Sequence, residues 1–168
     1  SASRILRRHG IAGTRVADVM KGAGLTVGGF YAHWKSKQEL VDETLRRTAD
    51  QLRLRLFANL ESVPEKKRAS LILERYLAAK ARDSDGLGCP LPAVVNEIGT
   101  TAPEHGPVLG ETLEPFIARM RELVQTRKLA IGLIALMYGG LSLARATRGT
   151  PLSDEILAAC RSVGQELL

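Results

Sequence analysis

Aromatic residues make up only 4% of this 168-residue chain, and it contains just two cysteines. No stretch alternates apolar and polar residues for long enough to suggest a sheet, whereas Ala, Leu, Arg and Glu are abundant, which favours helices. A hydrophobic share of 45% provides a core and excludes wholesale disorder. The sequence therefore predicts an all-α fold.

The lack of a disulfide framework and of a secretory signal indicates the cellular compartment. Cys89 and Cys160 cannot form a disulfide framework and fit a reducing cytoplasm. The N-terminus carries arginines but no apolar run that follows them, so no secretory signal is expected. The charge-free run Leu129–Ala144 is short for a membrane span of roughly 20 residues and contains three glycines. It predicts a helix of a soluble protein that is covered on every side, and no membrane partner.

Catalytic and metal-binding patterns are missing as well. The Ser, His and Asp residues form no nucleophile elbow, so we expect no enzyme. Apart from Glu104, His105 has no neighbour at metal-ligand spacing, which argues against a metal site. The glycine-rich stretch 22–29 lacks the Gly-Lys-Ser/Thr of a nucleotide loop, and nothing else calls for a cofactor.

Positive charge is concentrated at one end of the chain. Residues 1–40 hold seven Lys or Arg residues against two acidic ones, a net charge of +5 out of +6 for the whole chain. Such a basic end is typical of a protein that binds a polyanion, although a solvated basic face would have the same composition.

Apolar periodicity and turn residues divide the chain into nine predicted helices. The first ends at His9-Gly10 and begins so abruptly at Ser1 that we expect its first turns to be missing. Thr14, Thr26 and Ser36 are predicted N-caps of the second, third and fourth helices, with Glu39 completing a capping box after Ser36. Turns are predicted at Asp83–Gly88 and at the prolines and glycines between later helices. The remaining predicted helices cover 15–22, 27–34, 37–60, 65–82, 90–100, 107–125, 127–148 and 153–168.

The junction at Gln125-Thr126-Arg127 lacks any turn signal. Two helices of about twenty residues each need a loop to fold back on one another. Either one helix runs through, or a segment of the natural chain is absent here, and we favour the second interpretation.

Residues 24–38 are the most informative stretch. Gly28 and Gly29 stand inside a predicted short helix, where each costs roughly 1 kcal/mol relative to alanine. Phe30, Tyr31 and Trp34, three of the seven aromatics, follow directly. Glycines that weaken a helix, placed next to aromatic residues that are scarce elsewhere in the chain, are typical of a functional surface.

This pattern predicts a helix-turn-helix, in which the second helix enters the major groove of DNA. Gly24 would supply a left-handed turn, and Val19, Leu25 and Phe30 would hold the two helices together. The exposed face would present Thr26, Val27, Gly28, Gly29 and His33 to the bases, with Val27 able to contact a thymine methyl. Thr14, Thr26, Tyr31 and Lys37 would donate to phosphates. Arg15 and His33 could each contact DNA or only solvent.

The stretch from Gly10 to Leu40 resembles the signature of the tetracycline-repressor (TetR/AcrR) family of bacterial transcriptional regulators. The matching elements are Gly-x-x-Thr, Ala-Gly-hydrophobic, Phe-Tyr-x-x-aromatic and Ser-Lys-x-x-Leu, in that order. Four positions depart from the family: Met20 replaces a small alanine, Val27 and Gly29 replace a lysine and a threonine of the recognition helix, and Trp34 replaces a phenylalanine. Base readout would then depend more on DNA shape.

The resemblance implies an all-α homodimer of about nine helices per chain. Residues 1–36 would be the DNA-binding domain, 37–60 the connecting helix, and 61–168 the ligand-binding and dimerisation domain. The helices at 127–148 and 153–168 would form a four-helix dimer interface. Close packing would use Gly132, Gly140 and Ala144, or Ala135 and Gly139.

The family resemblance also implies a repressor that leaves a palindromic operator when a small-molecule effector binds. We expect an apolar or aromatic effector, with Tyr76, Cys89, Asn96 and Tyr138 as polar lining residues. Cys89, next to Pro90 at a predicted helix start, could be a redox-sensitive thiol or a buried lining residue. The alternative function is a helical carrier of small hydrophobic ligands that does not bind DNA.

Overall fold

The computed structural model describes residues 1–84, 89 and 91–168. Within them the chain forms nine α-helices and three short 3-10 helices, and no strand, which confirms the all-α prediction. The α-helices are α1 (Ala2–His9), α2 (Val16–Gly22), α3 (Lys37–Leu56), α4 (Glu65–Tyr76), α5 (Ala79–Asp83), α6 (Leu91–Thr100), α7 (Gly106–Val124), α8 (Arg127–Ala146) and α9 (Pro151–Glu166). The 3-10 helices are Val27–Ala32, Leu60–Ser62 and Pro103–His105.

Two predicted helices end earlier than expected, and arginine side chains satisfy carbonyls at these ends. The connecting helix ends at Leu56, where the Arg75 guanidinium donates to the carbonyls of Leu56 and Ala58 at 2.5 and 2.8 Å. The predicted helix 65–82 breaks into α4 and α5 after Tyr76, and the carbonyl of the next residue, Leu77, accepts from Arg161 at 2.6 Å. A carbonyl satisfied by a side chain no longer needs the next helical turn.

The predicted turn Asp83–Gly88 and the predicted helix start at Pro90 lie mostly outside the described residues, which omit 85–88 and 90. The described part of that helix begins at Leu91.

The structure joins α7 to α8 directly at Gln125 and Thr126, and a missing segment there stays a prediction. Gln125 adopts a left-handed conformation with φ 68°, and the Thr126 side chain accepts from the N–H of Leu129 as the N-cap of α8. A break between α7 and α8 therefore needs only these two residues. No residue pattern marks this turn, because glutamine rarely adopts left-handed backbone.

The chain divides into two compact units. The first contains Ser1–Gln51 and Asp85–Thr112, and the second contains Leu52–Ser84 and Leu113–Leu168. One core cluster of the first unit joins α1 and α3 to α6 and the start of α7 through Leu6, Ile11, Val41, Leu45, Val94, Ile98, Ala102 and Val108. The predicted functional domains, divided at residues 36 and 60, stay a prediction.

Helix α8, in the second unit, is buried along one side only. Its buried side includes Leu133, Met137 and Leu141, whereas Ile131 and Leu143 are exposed. In the part of the chain that is described, α8 alone is long and apolar enough to cross a membrane, and 33% of its most apolar window is buried. The prediction that this helix is covered on every side is therefore wrong for the single chain.

Candidate nucleic-acid interface

The segment Thr26–His33 lies on a small aromatic core in the first unit. Phe30 is 1% exposed and packs in one cluster with Val19, Met20 and Leu40. Its ring meets Tyr31 edge-on at 5.2 Å and lies 5.6 Å from Trp34. The aromatics thus fix the segment from beneath and leave its other face open.

The turn before this segment follows the prediction at Gly24 and departs from it at Leu25. Gly24 has φ 72°, a left-handed conformation that favours glycine. Leu25 was predicted to hold the helices together but is 51% exposed. Met20 is buried and packs in one cluster with Val19, Phe30 and Leu40.

The predicted third helix is a single 3-10 helix, Val27–Ala32, rather than an α-helix. Thr26 is its N-cap as predicted, and its hydroxyl accepts from the N–H of Gly29 at 3.4 Å. The two glycines keep this helix slim. A Cβ added at Gly28 would meet no atom within 4 Å, and one at Gly29 would meet only ordinary contacts with Thr26 and Met20.

The outer face of the segment is exposed, as the prediction requires. Val27 is 51% and Tyr31 74% exposed, and Thr26, Gly28 and His33 are exposed as well. A protruding tyrosine and valine beside two bare glycines form a narrow ridge. The major groove of B-DNA is wide enough to admit a helix, so a ridge of this kind can enter it.

Thr14 is the predicted site residue whose placement differs most from expectation. It is 2% exposed, and its hydroxyl donates to the Gly10 carbonyl at 2.6 Å. Thr14 therefore does not cap α2, whose N-cap is Arg15 without a side-chain hydrogen bond. Its hydroxyl holds the bend between α1 and α2 in the free chain, and its contact with phosphate stays a prediction.

Lys37 and Arg15 lie near this bend. Arg15 is exposed, and the Lys37 ammonium donates to the Ala12 carbonyl at 3.4 Å. The predicted cap of α3 is present, since the N–H of Glu39 donates to the Ser36 hydroxyl at 3.1 Å. The Glu39 carboxylate reaches back to the N–H of Lys35. These contacts bring Lys37 to the bend that Arg15 directly follows.

Two carboxylates that the sequence did not single out position this surface. The Trp34 indole N–H donates to Glu43 on α3 at 2.6 Å, which fixes the end of the aromatic core. Glu97 on α6 accepts from the backbone N–H groups of Ile11 and Ala12. The latter bonds join residues about 85 positions apart, so no local pattern could have revealed them.

The four predicted ligand-lining residues do not lie in one unit. Tyr76 is buried and Tyr138 half-buried in the second unit. In the first unit, Cys89 is buried whereas Asn96 is exposed on α6. Within the described residues, no three His, Cys, Asp or Glu side chains are grouped to hold a metal ion.

Three acidic groups of the second unit, Asp83, Glu114 and Cys160, have shifted pKa values. The Arg82 guanidinium beside Asp83, and Arg127 beside Glu114, hold the pKa of each carboxyl below its ordinary value. Partial burial raises the pKa of the Cys160 thiol, which disfavours the reactive thiolate. These groups tie helices together, as when Arg82 also donates to Ser153 and Asp154 of α9.

Known proteins match part of this chain in sequence. The sequence pattern of the family described as "Bacterial regulatory proteins, tetR family" matches residues 1–44. The chain is 41% identical over 51 residues to the HTH-type transcriptional repressor KstR2 of Mycobacterium tuberculosis. The matched stretch covers 30% of this chain and 26% of that protein. Over 89 residues it is 30% identical to the HTH-type transcriptional repressor DhaR of Mycobacterium sp. (strain GP1), covering 52% of this chain and 43% of the relative. The matched stretches thus span less than half the length of these curated relatives.

The fold has close counterparts among solved structures. The crystal structure of a TetR transcriptional regulator from Chloroflexus aurantiacus superposes with a TM-score of 0.81 at 24% identity, covering 98% of this chain and 88% of that one. At this identity the likeness establishes the fold over nearly the whole chain.

Proposed function

We propose that the chain is a one-component transcriptional repressor of the tetR family of bacterial regulatory proteins, because residues 1–44 match that family and its matched relatives are named as repressors. It would bind a palindromic DNA operator as a homodimer and leave it when a small molecule binds. The matched curated relatives are named as repressors, so the proposal involves no enzymatic step. A regulator of this kind works in the cytoplasm, where the chromosome lies.

One observation carries the proposal: the exposed, side-chain-poor ridge at Thr26–His33, supported on a buried aromatic core. We place this ridge in the major groove, with Val27, Gly28 and Gly29 against the base edges and His33 at their border. The two glycines let the backbone approach the bases closely. Few polar side chains then face the bases, so DNA shape would contribute to sequence choice.

Phosphate contacts would fix the ridge in register. Tyr31, Thr26 and Lys37 offer hydroxyl and ammonium donors, and exposed Arg15 adds a second cation. Thr14 would act through its backbone, because its hydroxyl is already bonded to Gly10.

The homodimer would form through α8 and α9. Exposed apolar side chains recur along both helices, as Ile131, Leu143, Leu152 and Val163. Among the small residues, Gly140 and Ala144 are buried within the chain, and a Cβ at Gly140 would meet Cys160 at 2.7 Å. A partner helix would therefore pack against the other predicted set, Ala135 and Gly139, together with Gly132. A partner there would cover the open side of α8 without any membrane.

The effector would bind in the helical core and be apolar or aromatic. The interior of the second unit supports this chemistry, since its fully buried side chains are almost all aliphatic or methionine. Tyr76 and Tyr138 would contribute polar contacts from this unit, and Cys89 and Asn96 remain proposed lining residues. Buried Cys89 would serve as a lining residue rather than as a redox sensor.

Selection of duplexes from a random pool tests this function and separates it from the carrier alternative. The enriched duplex should be palindromic, and fluorescence anisotropy at physiological salt should give at least about a thousandfold tighter binding than to a scrambled duplex. A hydrophobic-ligand carrier would enrich no sequence, and that result would refute the proposal.

A further inference from the structure

The Glu97 carboxylate caps the bend between α1 and α2, which we call the corner (Gly10–Thr14). One carboxylate oxygen accepts from the N–H of Ile11 at 2.8 Å, and the other accepts from the N–H of Ala12 at 2.7 Å. Two consecutive backbone N–H groups that share one anion form a charge-assisted pair, which is about twice as strong as a neutral one. The corner is thereby bonded to α6 through a single side chain.

The backbone is shaped to admit this carboxylate. Gly10 has φ 67°, and a Cβ there would lie 1.9 Å from the Glu97 carboxylate oxygen, so any larger residue would expel it. The α1 and α6 helices also pack side by side through Leu6, Ile11, Val94 and Ile98. Because this apolar contact holds α6 in place, Glu97 reaches the corner from a fixed base.

The corner in turn determines where the proposed phosphate donors stand. Ala12 is bonded from both sides, since its N–H donates to Glu97 and its carbonyl accepts from Lys37. Thr14 donates to the Gly10 carbonyl, and Arg15 follows directly as the N-cap of α2. A shift of the corner would therefore move Arg15 and release Lys37 together.

From this chain of contacts we propose that Glu97 is a positioning residue for DNA binding. It touches no DNA itself. It holds the corner so that Arg15 and Lys37 meet the phosphates in register with the ridge, and it makes α6 part of the DNA-binding unit. The inference rests on the proposed DNA-binding function.

The test compares Glu97→Ala and Glu97→Gln with Glu111→Gln, a control in the same unit. Glu111 is an exposed glutamate whose carboxylate pairs with Arg46 at 2.9 Å, away from the corner. Affinity for the selected duplex is measured well below the melting temperature of every variant. We expect Glu97→Ala to bind about tenfold more weakly, equivalent to roughly 1.4 kcal/mol, and Glu97→Gln to lie between it and the wild type. The control should bind as the wild type does.

Amide NMR gives a readout that does not depend on DNA. In Glu97→Ala the amide protons of Ile11 and Ala12 should shift upfield and exchange faster, while those of α2 stay protected. Normal DNA affinity of the folded Glu97→Ala protein would overturn the proposal. So would weak binding with unchanged Ile11 and Ala12 amides, because the effect would then not pass through these bonds.

Two further outcomes of this experiment also bear on the proposal. If Glu97→Ala does not fold, Glu97→Gln carries the same test, since it keeps the side-chain length and one acceptor, and wild-type affinity in that variant would overturn the proposal. If the wild type prefers no duplex, the repressor function fails and the positioning role falls with it, even where the amide shifts confirm the capping bonds.

Discussion

Replacing Gly28 by leucine separates DNA binding from folding more cleanly than any other single change. In the free chain, a Cβ at Gly28 meets no atom within 4 Å, so the larger side chain enters solvent. Because glycine is the more flexible residue in the unfolded chain, the free energy of unfolding should stay within about 1 kcal/mol of the wild type.

The same side chain would be obstructive in the complex. It would stand between the 3-10 helix and the base edges and push the ridge out of the groove. Loss of two base contacts, each worth about 1–3 kcal/mol, amounts to at least about 2 kcal/mol, or roughly thirtyfold in affinity. Gly29→Leu is less clean, because Met20 and Thr26 lie within 4 Å of the added Cβ.

The assay is fluorescence anisotropy with the selected duplex, beside thermal melting followed by circular dichroism. Gly110→Leu on α7 is the matched control, because a Cβ there also meets no atom within 4 Å. We expect normal melting for both variants and loss of DNA binding for Gly28→Leu alone. If Gly28→Leu binds the duplex as tightly as the wild type, the placement of the ridge in the groove is refuted.

Four further predictions follow from other parts of the chain. Lys37→Met should weaken binding to all duplexes and reduce the slope of log affinity against log salt by about 1, and an unchanged slope would mean that Lys37 contacts no phosphate. Phe30→Ala should destabilise the fold by about 3–5 kcal/mol in urea unfolding, because Phe30 is fully buried; a loss under 1 kcal/mol would contradict its role as the base of the ridge. Leu143→Asp should convert the proposed dimer into a monomer in analytical ultracentrifugation, since exposed Leu143 would lie in the α8–α9 interface, and a dimer that persists would place the interface elsewhere. Arg127 holds the pKa of Glu114 below its ordinary value, so the stabilisation from this pair should be present above the ordinary pKa of a glutamate and lost as the pH falls through the depressed one. The melting temperature of Glu114→Gln should therefore approach that of the wild type in acid, and a constant difference down to pH 2 would be inconsistent with this pair.

Features determined by neighbours in sequence could be predicted. Gly24 in left-handed backbone, Thr26 as a cap and Ser36 with Glu39 at the start of α3 each depend on a few adjacent residues. The buried aromatic Phe30 could be predicted for the same reason, since its spacing from Val19 fits two packed helices.

Features determined by distant contacts could not be predicted. At the break after Tyr76, the Leu77 carbonyl accepts from Arg161, which lies 84 positions away, and the corner depends on Glu97. Leu25 is exposed although it was predicted to hold the helices together, because periodicity alone does not say which apolar side chains are buried. The turn at Gln125 could not be predicted, because glutamine does not favour the left-handed backbone that it adopts here.

Photo-crosslinking from position 31 measures the central claim most directly. With p-benzoylphenylalanine in place of Tyr31, which is exposed beside the two glycines, irradiation should attach the protein to the selected duplex within the palindromic half-sites. The same group at Leu54, an exposed position in the second unit, serves as the control and should leave the duplex unmodified. Crosslinks from position 54 but not from position 31 would contradict the account.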